Sequence, residues 1–177
     1  MSWDGEIGAM PASMTAGIRY ESTDVLSTSL VAVPTEIRWT ADNDFTRIVG
    51  AQVQPISGTG SYDYWLPALD FSIEPREDVK LRASFGRTLA RPDFGNLFAA
   101  STINAPGRPT AIGGVATGNS GNPNLQPLLS DNIDFSAEWY FAPSSYVSIG
   151  YFDKQVRNFI GQGQFTRNLF GLRDPSS

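Results

Sequence analysis

The sequence predicts an all-β protein, an antiparallel up-and-down meander that forms part of a large transmembrane β-barrel. Apolar and polar residues alternate along several segments, so each segment has one apolar and one polar face when it is extended. Short polar turns join these segments at one end, and long Gly-, Asn- and Pro-rich connections join them at the other. One-sided strands with this asymmetry of connections are typical of barrels that cross a membrane.

The first predicted strand covers residues 12–30. Its apolar positions alternate with polar ones and are Met14, Ala16, Ile18 and Tyr20. From Val31 to Tyr64, alternation is confined to short pieces among Gly, Asn and Asp residues. We therefore expect a long loop there that carries a hairpin extension of its own.

The clearest predicted hairpin consists of residues 64–75 and 78–91, joined by a polar turn. With the apolar faces aligned, two registers place an acid opposite a base. One register brings Asp70 opposite Arg82, and the other brings Glu74 opposite Lys80. The sequence does not choose between them.

A second hairpin is predicted over residues 128–142 and 145–160. Its first strand has Ile133, Phe135, Ala137, Trp139 and Phe141 on one face and only polar residues and Tyr140 on the other. Asp134 or Asn132 is expected opposite Lys154. The connection from Arg91 to Pro127 is rich in glycine, and we expect it to be the most mobile internal segment.

Aromatic residues cluster at both ends of the predicted strands. Trp139, Tyr140, Phe141 and Tyr146 lie at the short-turn end, and Tyr62, Tyr64 and Trp65 at the long-loop end. Such clusters match the two aromatic girdles of a membrane barrel.

Composition excludes several functions. The net charge of −5 disfavours nucleic-acid binding, and the absence of Cys and His excludes disulfides, Ser-His-Asp triads and His-rich metal sites. Asp134 and Glu138 are about 13 Å apart along a strand, too far for either glycosidase carboxylate pair. No apolar run approaches the roughly 20 residues of a membrane helix. We therefore predict no catalytic residue, no metal site and no cofactor.

A ligand site is predicted at the long-loop mouth. Arg87, Arg91 and Arg108 suit an anionic ligand such as a ferric chelate, and Phe94 suits stacking on a sugar ring. A competing interpretation treats the arginines as rim charges, because alternation places Arg87 and Arg91 on the outward face beside anionic lipid headgroups.

Six motifs, in order, resemble the barrel portion of TonB-dependent outer-membrane receptors, particularly the large type of Xanthomonas-like and Caulobacter-like bacteria. The motifs are GIRYEST, YDYWLPALDFSIEP, LRASFGRTLARPDFGNL, GNPNLQP, SDNIDFSAEWYF and GYFDKQVRNFI. Their order and spacing match from about residue 12 to residue 165.

The resemblance implies a nutrient importer in the outer membrane of a Gram-negative bacterium. Its partners would be outer-membrane lipid, TonB and an unknown small molecule such as a siderophore, a glycan or cobalamin. The family has a plug inside a barrel of about 22 strands. The chain of 177 residues is thus expected to be a fragment with about five strands, without plug or barrel C-terminus.

Two other functions compete with this interpretation. One is a secreted β-sandwich that binds carbohydrate on exposed aromatic residues, with its apolar faces meeting in a dry core. The other is a small β-rich hydrolase that uses carboxylates.

Overall fold

Consecutive strands lie side by side in a computed structural model, which describes residues 1–42, 44–104, 113–166, 168, 170–173 and 175. The main sheet has six strands in the order β1-β2-β3-β4-β7-β8, and β5 and β6 form a second, two-stranded sheet. The strands are β1 (Ser2–Ile7), β2 (Met10–Ala41), β3 (Asp44–Arg76), β4 (Val79–Ala90), β5 (Ser101–Asn104), β6 (Thr117–Ser120), β7 (Leu128–Ala142) and β8 (Ser145–Arg157). In the described ranges, the one helix is a 3₁₀ turn at Phe94–Leu97, and no helix is long and apolar enough to cross a membrane.

The predicted antiparallel meander is confirmed. β4, β7 and β8 coincide with the predicted strands to within three residues, and β1 and β8 form the two edges of the main sheet. β1 is an addition to the prediction and pairs with the start of β2 from Ser2 opposite Thr15 to Ile7 opposite Met10.

The loop predicted from Val31 to Tyr64 is wrong. β2 continues to Ala41 and β3 begins at Asp44, so the segment is one long extension of the β2–β3 hairpin. Two side-chain hydrogen bonds join β2 to β3, one between Ser13 and Ser72 and one between Thr28 and Ser57. Both pairs fit the same antiparallel register of the two strands. The expected hairpin extension is therefore confirmed, but as a continuation of the strands instead of a loop.

Cross-strand pairing resolves both open registers. Lys80 Nζ lies 3.0 Å from Glu74 Oε1, whereas Asp70 pairs with Ser84 and Ser72 with Arg82. The Asp70–Arg82 alternative is therefore wrong. In the second hairpin, Lys154 lies opposite Asn132 and not opposite Asp134.

The chain divides into two compact units. Unit 1 consists of residues 1–23, 62–91 and 126–160, and unit 2 of residues 24–61, 92–125 and 161–177. Unit 1 contains β1, β4, β7, β8 and the adjoining parts of β2 and β3. Unit 2 contains the remainder of β2 and β3, the 3₁₀ turn, β5 and β6.

Candidate functional site

Unit 1 presents one apolar face built from rows of cross-strand neighbours. Successive rows contain Phe71, Ala83, Phe135 and Tyr151, then Leu81, Ala137 and Ile149, then Val79, Trp139 and Val147. Phe135 is 51% exposed and Ile149 is 75% exposed. No second layer covers this face in the part of the chain that the structure describes, so the β-sandwich alternative gains no support.

The opposite face of unit 1 is polar and carries an ionic network near the short turns. Lys80 lies opposite Glu138 and donates to Glu74, and Arg82 Nε is 3.5 Å from Glu138 Oε1. The Tyr140 hydroxyl donates to Glu138 at 2.7 Å. The network links β3, β4 and β7 through partly exposed groups. Within the described residues, no group of three acidic side chains is placed to hold a metal ion.

Aromatic side chains lie at both ends of the apolar face. At the short-turn end, the indole Nε1 of Trp139 donates to Asp78 at 2.9 Å, and its ring lies 5.6 Å from Phe141. Towards the other end, the rings of Tyr20 and Trp65 are 4.8 Å apart. An amphipathic ring with a satisfied polar end suits a boundary between apolar and aqueous surroundings.

Arg87 lies at the long-loop end of the apolar face, and its guanidinium already has a partner. Its Nε and Nη2 donate to the two carboxylate oxygens of Asp131 at 2.5 and 3.1 Å. Arg157, from β8, also bonds Asp131. This cluster ties β4, β7 and β8 together, and it favours the interpretation of Arg87 as a rim charge.

Arg91 lies on the polar side, which differs from its expected outward position. Its Nη2 is 3.6 Å from Glu21 Oε1. Glu21 is eight residues from Ser13 along β2, and Ser13 contacts Ser72 on the polar face, so the two share a face. Alternation fails for Arg91 because β4 ends at Ala90.

The structure describes one of the other two predicted site residues. Phe94 begins the 3₁₀ turn of unit 2 and is 88% exposed, and Arg108 lies outside the described residues. On the polar side of unit 1, the Tyr64 hydroxyl donates to Gln126 at 3.0 Å. Alternation alone did not identify this bond, because Gln126 precedes the strand.

In unit 2, the described parts of the long connection pack onto the β2–β3 extension. We call residues 94–104 and 117–125 the strap. The Ala99 amide donates to Ser27 Oγ at 3.0 Å, and Leu97 and Ile103 are buried. A Cβ at Gly60 would overlap the carbonyl oxygen of Pro123. The strap therefore depends on glycine in β3, the strand that it contacts. In the sequence, the sign of this close approach is the Gly58-Thr59-Gly60 run within a strand.

Comparison with known proteins assigns most of the chain to one family model. The model for the β-barrel of TonB-dependent receptor-like proteins matches residues 6–173. Neither the curated proteins nor the solved structures contain a significant match.

Proposed function

The chain belongs to the family of TonB-dependent receptor-like β-barrels, and on this premise we propose that it forms part of the wall of an importer of scarce nutrients. The family places such proteins in the outer membrane of Gram-negative bacteria as receptors and transporters. The observation that carries the proposal is the exposed apolar face of unit 1 in a chain whose residues 6–173 match the family.

The dimensions of the apolar face support lipid contact. Its uninterrupted rows run from Val79 to Phe85 on β4, a strand length of about 20 Å at 3.4 Å per residue. Because barrel strands tilt by about 35–45°, this length spans roughly 15 Å of the transmembrane apolar band, which is about 25 Å tall. Trp139 marks one end of the rows and the Arg87–Asp131 pair marks the other. The polar face then borders the aqueous interior of the barrel.

We propose that the imported solute meets the polar face at the end of unit 1 where Arg91 lies. The Arg91 side chain is 60% exposed, and its pairing with Glu21 at 3.6 Å leaves donors of the guanidinium for an anionic group. Arg87 is a weaker candidate because Asp131 accepts two of its hydrogen bonds. The solute class, whether siderophore, glycan or cobalamin, and the energising partner TonB belong to this proposal.

Energy-dependent uptake by cells is the direct test. Cells with and without the full-length receptor would be given a ferric siderophore, cobalamin and an oligosaccharide, each with and without a protonophore. We expect one probe to enter only when both the receptor and the proton-motive force are present. Loss of the protein from the outer-membrane fraction, or uptake that is insensitive to the protonophore, would contradict the proposal.

The receptor type is a finer part of the proposal. The six motifs favour the large Xanthomonas-like or Caulobacter-like type. Sequencing of the whole coding region tests this point.

A further inference from the structure

Two arginines from different parts of the chain share one carboxylate on the polar face of unit 1. Arg19, on β2, bonds Glu21 Oε1, and Arg91 Nη2, just beyond β4, lies 3.6 Å from the same oxygen. The Glu21 side chain is 13% exposed, whereas the side chains of Arg19 and Arg91 are 72% and 60% exposed. The acid is thus largely shielded, and both guanidinium groups present most of their surface to solvent.

The charge of this cluster is positive, because two guanidinium groups face one carboxylate. Each guanidinium carries several N–H donors, so most of them remain available after both groups have bonded a single oxygen of Glu21. The polar-face residues at the same end of β4 and β7 are uncharged and are Thr88, Ala90, Leu128 and Ser130. They add no carboxylate that would neutralise the excess charge.

A neutral donor adjoins the cluster. The register that brings Ser13 to Ser72 places Glu21 opposite Tyr64, eight residues further along β2 and eight residues back along β3. The Tyr64 hydroxyl donates to Gln126 Oε1 at 3.0 Å. The amide oxygen is thus occupied, and the amide N–H groups are the part of Gln126 that can bind a further acceptor.

We propose that Arg19 and Arg91 form a clamp for solutes that carry more than one carboxylate or phosphate group. Each guanidinium can donate two parallel hydrogen bonds to such a group. Because Glu21 already holds both side chains, less side-chain freedom is lost when the solute binds. This inference rests on the proposed import and names the class of its solute. A neutral oligosaccharide has no charged acceptor for the clamp.

Isothermal titration calorimetry of the full-length receptor in detergent tests the clamp. The probes are citrate, fructose 1,6-bisphosphate and the neutral sugar maltotriose. We expect at least one of the two anions to bind, added NaCl to weaken that binding, and maltotriose to give no heat of binding. The anion that binds more tightly identifies the preferred group as carboxylate or phosphate.

Substitution of either arginine should weaken the binding. Arg19→Gln and Arg91→Gln each remove a charge-assisted donor, so the Kd of the bound anion should rise by about tenfold or more. Arg38→Gln is the matched control, because Arg38 pairs with Glu36 two residues away on β2, as Arg19 does with Glu21, but is not part of the clamp. Its Kd should stay unchanged. Heat-modifiability would show that each variant is folded.

Three results would overturn the clamp. They are the absence of binding by both anions, binding of maltotriose as tight as that of the anions, and Kd values that Arg19→Gln and Arg91→Gln change no more than Arg38→Gln does. The titration requires neither TonB nor the proton-motive force, so a failed import assay leaves it interpretable. Energy-dependent uptake of a neutral probe without anion binding would overturn the clamp and leave the proposed import intact.

Discussion

The Lys80 ammonium donates a hydrogen bond to Glu74 at 3.0 Å and lies directly opposite Glu138 on the next strand. One basic residue therefore pairs with the acid on one neighbouring strand and lies opposite the acid on the other, near the turn that joins β3 to β4. A slip of the register by two residues would preserve the apolar face but separate Lys80 from Glu74. The ion pair thus distinguishes two registers that hydrophobic alternation treats as equivalent.

The Glu74–Lys80 pair should contribute little to global stability. Both side chains are partly exposed, at 40% and 30%, so we expect a coupling energy of about 0.2–1 kcal/mol. A double-mutant cycle with Glu74→Gln and Lys80→Met, monitored by urea unfolding of the full-length receptor in detergent, measures it. A coupling well above this range would show that the pair is less solvated than its exposure indicates.

The two faces of β7 should differ in their tolerance of charge. Phe135→Arg places a guanidinium among the apolar rows, and near the membrane midplane we expect it to impair assembly by about 2–4 kcal/mol. Ser136→Arg, one residue along on the polar face, serves as the matched control and should be tolerated better. Heat-modifiability and protease resistance in outer membranes provide the measurement. Equal tolerance of both substitutions would refute the assigned faces.

Gly60→Ala should loosen the strap. The new Cβ would overlap the carbonyl oxygen of Pro123, and overpacking of this kind costs about 1–3 kcal/mol. Amide hydrogen exchange at Ala99, whose N–H donates to Ser27, should become faster. Gly50→Ala, on the same strand, is the matched control. Its new Cβ would lie 3.4 Å from the nearest atom, a Thr35 methyl carbon, so exchange of the Ala99 amide should stay unchanged. Identical exchange in the two variants would contradict a glycine-dependent contact.

The segment from Arg91 to Pro127 should still be the first internal site of proteolysis. The two short turns of unit 1 connect paired strands, whereas the strap uses few backbone pairs. Brief trypsin or proteinase K treatment of the full-length receptor in detergent, where both ends of the strands are accessible, followed by mass spectrometry, would locate the first cut. Earlier cleavage at the turn after Arg76 or at the turn after Ala142 would count against the predicted mobility.

Alternation predicted β4, β7 and β8 because one face of each strand is consistently apolar. Phe135 and Ser136 show this in adjacent positions. It failed over the β2–β3 extension, where Gly58 and Gly60 have the sequence character of a loop. In the structure, those glycines lie against Pro123 and Ala99. Glycine is therefore needed at these positions because of a contact with residues that are distant in sequence.

Alternation was less informative about the candidate site. It placed Arg87 on the apolar face. The hydrogen bonds between Arg87 and Asp131 depend on the register of β4 against β7, and alternation fits registers that differ by two residues equally well. Arg91 lies beyond the end of its strand, where alternation no longer applies.

Among the described residues, the main sheet has two unpaired edges, and they impose an order on its assembly. β8 is 13 residues long and has a sheet neighbour on one side, and β1 lies at the opposite edge. Each backbone group without a hydrogen bond costs several kcal/mol in hydrocarbon, so a sheet with two free edges has no favourable route into a bilayer. Transfer into lipid becomes favourable only after further strands have paired with both edges. Membrane insertion is therefore expected to be a late step, coupled to closure, and a stalled intermediate with these edges exposed is a target for proteases and for aggregation.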